Sequence, residues 1–182
     1  MAGAALTCLG FWLARWSIAW LWLAIAGLAI NWFGDSLDGS LARYRKRERP
    51  QYGFFLDHSS DAFAIAFIAI GIGLSPKAHV PFALAVLAAY YLVVILSMAT
   101  CLATGVFRIS FGKVGPTEIR LVIMICTLCA MVLPTPSYTI GAMVITIYDA
   151  LMALVSVIMV ITGLTQLAQT ARELARLDPP RR

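Results

Sequence analysis

The chain has 182 residues, 61% of them hydrophobic, and a formal net charge of +5. A soluble domain is about 45–50% apolar. The excess here, with a mean hydropathy of +0.86, excludes an ordinary water-soluble enzyme and predicts an all-α polytopic membrane helix bundle forming one domain over residues 1–182.

Six apolar segments are expected in order, each judged by the length that a bilayer requires. The first runs from Ala2 to Ala14 and is closed by Arg15. It lacks the basic n-region and cleavage site of a signal peptide, and it is short for a full span. The second runs from Ser17 to about Arg43, apolar up to Phe33 and polar beyond. The third covers Phe54 to Ser75 and is stopped by Pro76. The fourth covers Pro81 to about Thr104. The fifth covers about Pro116 to Leu133 and is ended by Pro134 and Pro136. The sixth covers about Ala142 to Ala168, leaving 169–182 as a polar basic tail. Proline suits helix ends and breaks helix interiors.

Basic residues orient the bundle. Arg45, Lys46, Arg47 and Arg49 lie between segments two and three, Arg108 and Lys113 between four and five, and four arginines in the tail. The opposite links carry Arg15 and Lys77 only. The positive-inside rule puts the richer links in the cytoplasm, so the charge marks the cytoplasmic face rather than a nucleic-acid partner. Tail arginines are read as solvated or touching anionic headgroups. Cys126 and Cys129 form a C-x-x-C inside an apolar helix, where packing explains them better than redox or zinc chemistry.

The unusual feature is Gly34 to Asp61, "GDSLDGSLARYRKRERPQYGFFLDHSSD", which places Asp35, Asp38, Asp57 and Asp61 beside a basic link. At about 100° per residue, Asp38 falls about 60° from Asp35, with Gly39 and Ala42 close to both. Small residues there admit another helix or leave a floor for a flat ligand. Asp57 and Asp61, at i and i+4, share a face, and Gly53 lies one turn back. The short link makes the two helices antiparallel neighbours, so four carboxylates meet near the cytoplasmic boundary. Such acids are costly near a bilayer and repel one another. Either some of them stay protonated or cations neutralise them, and an all-oxygen set favours Mg²⁺, Mn²⁺ or Ca²⁺ over zinc or copper. Four carboxylates carry charge for two such ions, a device for clamping phosphoryl oxygens, and Arg43 suits a phosphate. The plainer readings are a helix cap for Asp35 and ion pairs to the basic link for Asp57 and Asp61. His58 lies off the acidic face and is read as packed or hydrogen-bonded rather than as a ligand.

As a pattern the stretch is D-x-x-D-G-x-x-A-R, nine residues, then G-x-x-x-D-x-x-x-D, carried by Asp35, Asp38, Gly39, Ala42, Arg43, Gly53, Asp57 and Asp61. It resembles the signature of the CDP-alcohol phosphotransferases (CDP-alcohol phosphatidyltransferases). The resemblance implies transfer of a substituted phosphate from a CDP-linked alcohol, such as CDP-diacylglycerol, to an acceptor hydroxyl with release of CMP, in phospholipid biosynthesis. It implies that Asp35, Asp38, Asp57 and Asp61 hold two divalent cations, Mg²⁺ or Mn²⁺, and that Asp61 is also the base. Gly39, Ala42, Arg43 and Gly53 would shape the CDP site. At least one alcohol would be a lipid, the protein would lie in the cytoplasmic (inner) membrane, and two copies would pair as a homodimer. Only 34 residues precede Asp35, which predicts a chain that begins inside the family's first span.

"FRISFGKVGPTEIR", Phe107 to Arg120, adds Arg108, Lys113 and Glu118 as candidate acceptor contacts. "GPTE" resembles an element of the choline/ethanolamine branch, whereas Arg108 and Lys113 suit an acceptor phosphate. A helix cap for Glu118 and positive-inside markers for the two bases are the plainer readings. Asp149 is expected far from this site, in a buried hydrogen bond or at an interface. Two other classes compete: a small cation transporter, which calls for paired broken helices and midplane charges, and a homologue of the transferase without turnover.

Overall fold

Prolines and helix-ending residues divide the chain much as its hydropathy does. The computed structural model describes residues 1–45, 49–105, 116–140 and 143–177, with 38–43, 116, 140 and 143 described by backbone alone. Helix α1 spans Ala2–Leu13. A 3-10 turn, Ile18–Trp20, opens on Ser17, whose side chain accepts from the Ala19 amide. Helix α2 spans Leu21–Tyr44 and α3 spans Pro50–Leu74. Helix α4, Val80–Thr104, ends at Gly105 with φ 71°, a left-handed C-terminal turn that glycine adopts without strain. Helix α5 spans Pro116–Val132 and α6 spans Ile147–Leu177.

The third helix begins at Pro50 rather than Phe54, because proline is well placed in a first turn that needs no amide donor there. Gly53 therefore lies within the helix, its amide closing the first turn onto the Arg49 carbonyl at 2.8 Å. A larger departure precedes α6. Met143–Thr146, expected to begin the sixth helix, instead forms strand β2 and pairs antiparallel with β1, Ser137–Ile140 of the preceding link, in the register Ser137 to Thr146 and Ile140 to Met143. Tyr, Thr, Ile and Val dominate these strands, and such residues favour a pleated backbone. Helix α6 also continues through the expected polar tail as far as Leu177, since "AQTARELARL" is rich in good helix formers.

Among the described residues, four helical stretches are long and apolar enough to cross a membrane: Ile18–Leu37, Pro50–Leu74, Val80–Thr104 and Ile147–Leu177. Helix α1 is apolar but has 12 residues, and α5 has 17. At 1.5 Å per residue these reach roughly 18 and 26 Å, against a hydrocarbon core of about 30 Å. The protein is an all-α integral membrane bundle with one small hairpin.

Helix α1 packs between α2 and α3. A Cβ placed on Gly3 would strike the backbone of Asn31, one on Gly10 that of Ala24, and one on Gly27 that of Thr7. These three glycines let the α1 and α2 backbones touch, the small-residue packing that replaces hydrophobic drive inside lipid. Thr7 uses the proximity: its hydroxyl, 2.9 Å from the Gly3 carbonyl of its own helix, also lies 3.4 Å from the Ala24 carbonyl of α2. Below the polar end, Ala4, Leu28, Ala64 and Ile68 form the core, covered by Ile123 and Met124 of α5. Helix α4 joins α3 to α6. There Gly163 brings α6 against Val93 and Leu96.

The end opposite the aspartate cluster is held by Asp149, which is fully buried. Its carboxylate accepts from the amides of His79 (2.8 Å) and Thr146 (2.9 Å) and from His79 Nδ1 (2.7 Å). The Asp149 amide donates back to Thr146 Oγ1 at 3.2 Å. Thr146 and Asp149 thus form a capping box at the start of α6, and His79 ties it to the start of α4. The expected buried hydrogen-bonding role of Asp149 is what is found.

Candidate active site

Two stripes of side chains converge at one end of the bundle. On α2, Ala24, Leu28, Asn31 and Asp35 follow at intervals of four, three and four, one helical face. On α3, Asp57, Asp61, Ala64 and Ile68 repeat the spacing. Because Leu28, Ala64 and Ile68 meet in the core, the polar residues above them meet too. One carboxylate oxygen from each of Asp35, Asp57 and Asp61 lies within 4.8 Å of the others. Their side chains remain 30%, 56% and 23% exposed, so the cluster opens outward with Asp61 deepest. Asn31 lies one turn beneath Asp35, and its buried Oδ1 has no hydrogen-bond partner among the described residues.

Helix α5 contributes a residue that the motif did not point to. Arg120 is only 8% exposed, and its guanidinium donates to Asp35 Oδ2 at 2.6 Å and, more loosely, to Asp61 Oδ1 at 3.5 Å. Ionised carboxylates 4.8 Å apart repel by roughly 3 kcal/mol per pair at an effective dielectric of about 20, less where water screens them. Arg120 offsets part of that repulsion. The Phe107–Arg120 stretch offers Arg108, Lys113 and Glu118 as candidates by sequence, and nothing local marks Arg120, which lies 85 residues from Asp35. Helix α4 supplies Tyr91, whose hydroxyl donates to the Ala62 carbonyl at 2.8 Å and fixes the backbone beside Asp61. Half-buried Tyr90 stands within electrostatic range of Asp61 and Arg120. Both tyrosines read as ordinary apolar-helix residues in the sequence.

His58 stays out of the acidic group, as expected. Its Nδ1 donates to the Phe54 carbonyl at 2.9 Å and its ring packs against Phe54. Gly53 is exposed one turn before Asp57, with no atom of the described residues within 4 Å of where a Cβ would stand. The backbone of α2 carries Asp38, Gly39, Ala42 and Arg43 just beyond Asp35; their side chains lie outside the described residues. Arg108 and Lys113 also lie outside them. Glu118 is exposed in the first turn of α5. The four cysteines are free and half-buried in helices.

A family model described as CDP-alcohol phosphatidyltransferase matches residues 1–164. The chain belongs to the CDP-alcohol phosphatidyltransferase family. No curated protein and no solved structure matches it. Membership supports transfer of a phosphate group from a CDP-alcohol to an alcohol, chemistry that in this family generally depends on divalent cations. The donor set fits such a cation: three convergent carboxylates are hard oxygen ligands.

Proposed function

We propose that the protein transfers a substituted phosphate from a CDP-linked alcohol to the hydroxyl of an acceptor alcohol, releasing CMP, and that it does so in phospholipid biosynthesis. The observation that carries this reading is the convergence of Asp35, Asp57 and Asp61 within 4.8 Å at the open end of α2 and α3, in a chain of this family. Asp35, Asp38, Asp57 and Asp61 would hold two divalent ions, Mg²⁺ or Mn²⁺. Bound there, the ions would neutralise the pyrophosphate and stabilise the CMP leaving group.

The protein's own groups do the rest. Asp61 sits deepest of the three acids and is the base: it takes the proton of the acceptor hydroxyl as that oxygen forms a bond to the distal phosphorus. The bond from that phosphorus to the bridging oxygen breaks, and the electrons leave with CMP. Direct attack needs no nucleophilic side chain. Gly39, Ala42, Arg43 and Gly53 shape the CDP site; the open space over Gly53 is consistent with a ligand resting there. Glu118, Arg108 and Lys113 are the candidate acceptor contacts. Apolar helix faces beside the site suit a lipid for one alcohol, and the basic links favour a site on the cytoplasmic side of the inner membrane. Pairing of two copies is carried over from the family resemblance.

The test is CMP release from purified protein given CDP-diacylglycerol and other CDP-alcohols, a panel of acceptors, and Mg²⁺ or Mn²⁺. Metal-dependent CMP release that needs both alcohols supports the reading. No release with any pair sinks it.

A further inference from the structure

Arg120 raises a question that the transferase reading leaves open. It is a nearly buried cation, and a buried ion is tolerated only when its partners are well placed. Those partners are Asp35 Oδ2 at 2.6 Å and Asp61 Oδ1 at 3.5 Å. These two aspartates, with Asp57, make up the acidic group whose oxygens converge. The guanidinium thus occupies lone pairs that a divalent ion would need. An ion coordinated at about 2.0–2.6 Å by those carboxylates would stand within a few ångströms of a like charge that is almost cut off from water. Repulsion at that range is severe in a site of reduced dielectric.

We propose that Arg120 is the internal counter-ion of the acidic cluster, and that its ion pairs to Asp35 and Asp61 and a bound divalent cation exclude one another. In the metal-free protein Arg120 keeps the aspartates together and fastens α5 to α2. Metal binding releases it from both carboxylates. Arg120 is then a positioning residue that sets how tightly the site takes metal: it preorganises the ligands and competes for them. Arg120 links α5 to the acids, so metal occupancy is also coupled to the seating of α5. The inference rests on the proposed function only for the nature of the ion.

The test uses the full chain in detergent, with free Mn²⁺ followed by electron paramagnetic resonance. Arg120→Met keeps the aliphatic stem and removes the competitor. Its Mn²⁺ dissociation constant should fall at least about tenfold, while its melting temperature in chelator drops below that of the parent and recovers with Mn²⁺. Arg120→Lys should lie between the two. A folded Arg120→Met with unchanged or weaker Mn²⁺ affinity overturns the inference, as does failure of either protein to bind Mn²⁺. A second measurement needs no variant. Modification of Arg120 by phenylglyoxal, read by peptide mass spectrometry, should quicken when Mn²⁺ is added to the parent protein; an unchanged or slower rate overturns the inference. CMP release is assayed on the same preparations. Metal-dependent release with unaltered Mn²⁺ affinity in Arg120→Met leaves the transferase standing and removes only the counter-ion role. Arg120-sensitive Mn²⁺ binding without CMP release from any substrate pair does the reverse.

Discussion

Replacing Asp149 with alanine should destabilise the bundle while leaving its chemistry alone. The fully buried carboxylate accepts from two backbone amides, His79 at 2.8 Å and Thr146 at 2.9 Å, and from His79 Nδ1 at 2.7 Å. The imidazole is half exposed and can turn its N–H to water. The Thr146 hydroxyl retains the Lys77 carbonyl at 2.9 Å as an acceptor. The Thr146 amide is buried and has no such recourse, and the His79 amide is part-buried. A buried donor left unpaired costs about 1–3 kcal/mol, so the pair costs at most about 2–6 kcal/mol. Relief of the carboxylate's own desolvation works the other way and draws the expected loss to about 2–4 kcal/mol. For a chain of this size that corresponds to a melting temperature lower by roughly 4–16 °C. Asp149→Asn keeps one accepting oxygen but turns an NH₂ toward a donor, so it should fall between alanine and the parent. Thermal unfolding in detergent measures both. From Asp61 to the end of α3 is about 20 Å along the helix, so the KM for either substrate at a permissive temperature should not move. A melting curve of Asp149→Ala superimposed on the parent's would refute the account of Asp149 as the clasp between α4 and α6.

Asp61→Asn should lower CMP release by at least 10²–10⁴-fold, roughly the scale of a lost general base, while nucleotide binding is largely kept; unchanged turnover rules out Asp61 as the base. Gly53→Ala meets nothing within 4 Å and should melt like the parent. It should nonetheless raise the KM for the CDP-alcohol on the order of tenfold, since an added methyl would intrude on the ligand; an unaltered KM removes Gly53 from the CDP site. Gly10→Ala puts a methyl against the Ala24 backbone and should cost about 1–3 kcal/mol of stability. Gly34→Ala, in open space on the same helix pair, should be neutral or slightly stabilising; equal melting of the two variants would contradict the close α1–α2 seam. Chelation should abolish CMP release, with activity restored by Mg²⁺ or Mn²⁺, and activity that survives exhaustive chelation argues against a metal-dependent transfer.

Much of this molecule is readable from residue order because its strongest constraints are local. Twenty-residue apolar runs have to become helices, since lipid leaves backbone amides no other partner. Asp57 and Asp61 share a face by helical periodicity alone. The short link between Tyr44 and Pro50 brings them back toward Asp35, and the three aspartates whose side chains are described, Asp35, Asp57 and Asp61, converge as that geometry requires. The family signature sits in one short stretch for the same reason: the site is built from the adjoining ends of two consecutive helices. The observed elements depart from the expected ones where competing propensities are close: Met143–Thr146 pairs with Ser137–Ile140 as a hairpin, and α3 opens at Pro50, while "AQTARELARL" keeps the polar tail helical as far as Leu177.

What tertiary structure alone decided is which distant residues join the site and which hold the bundle. Arg120 reaches Asp35 across 85 residues, Tyr91 reaches Ala62 across 29, and His79 reaches Asp149 across 70. Arg120 and Tyr91 sit in helices, and His79 caps one, whose composition gives no sign of these contacts, because a membrane helix is apolar on every side and its periodicity does not reveal which face meets which neighbour. Facing is chosen by backbone contact at Gly3, Gly10 and Gly27 and by the few polar groups that must find one another where water is scarce. Local order placed the acids; helix packing gave them a buried arginine.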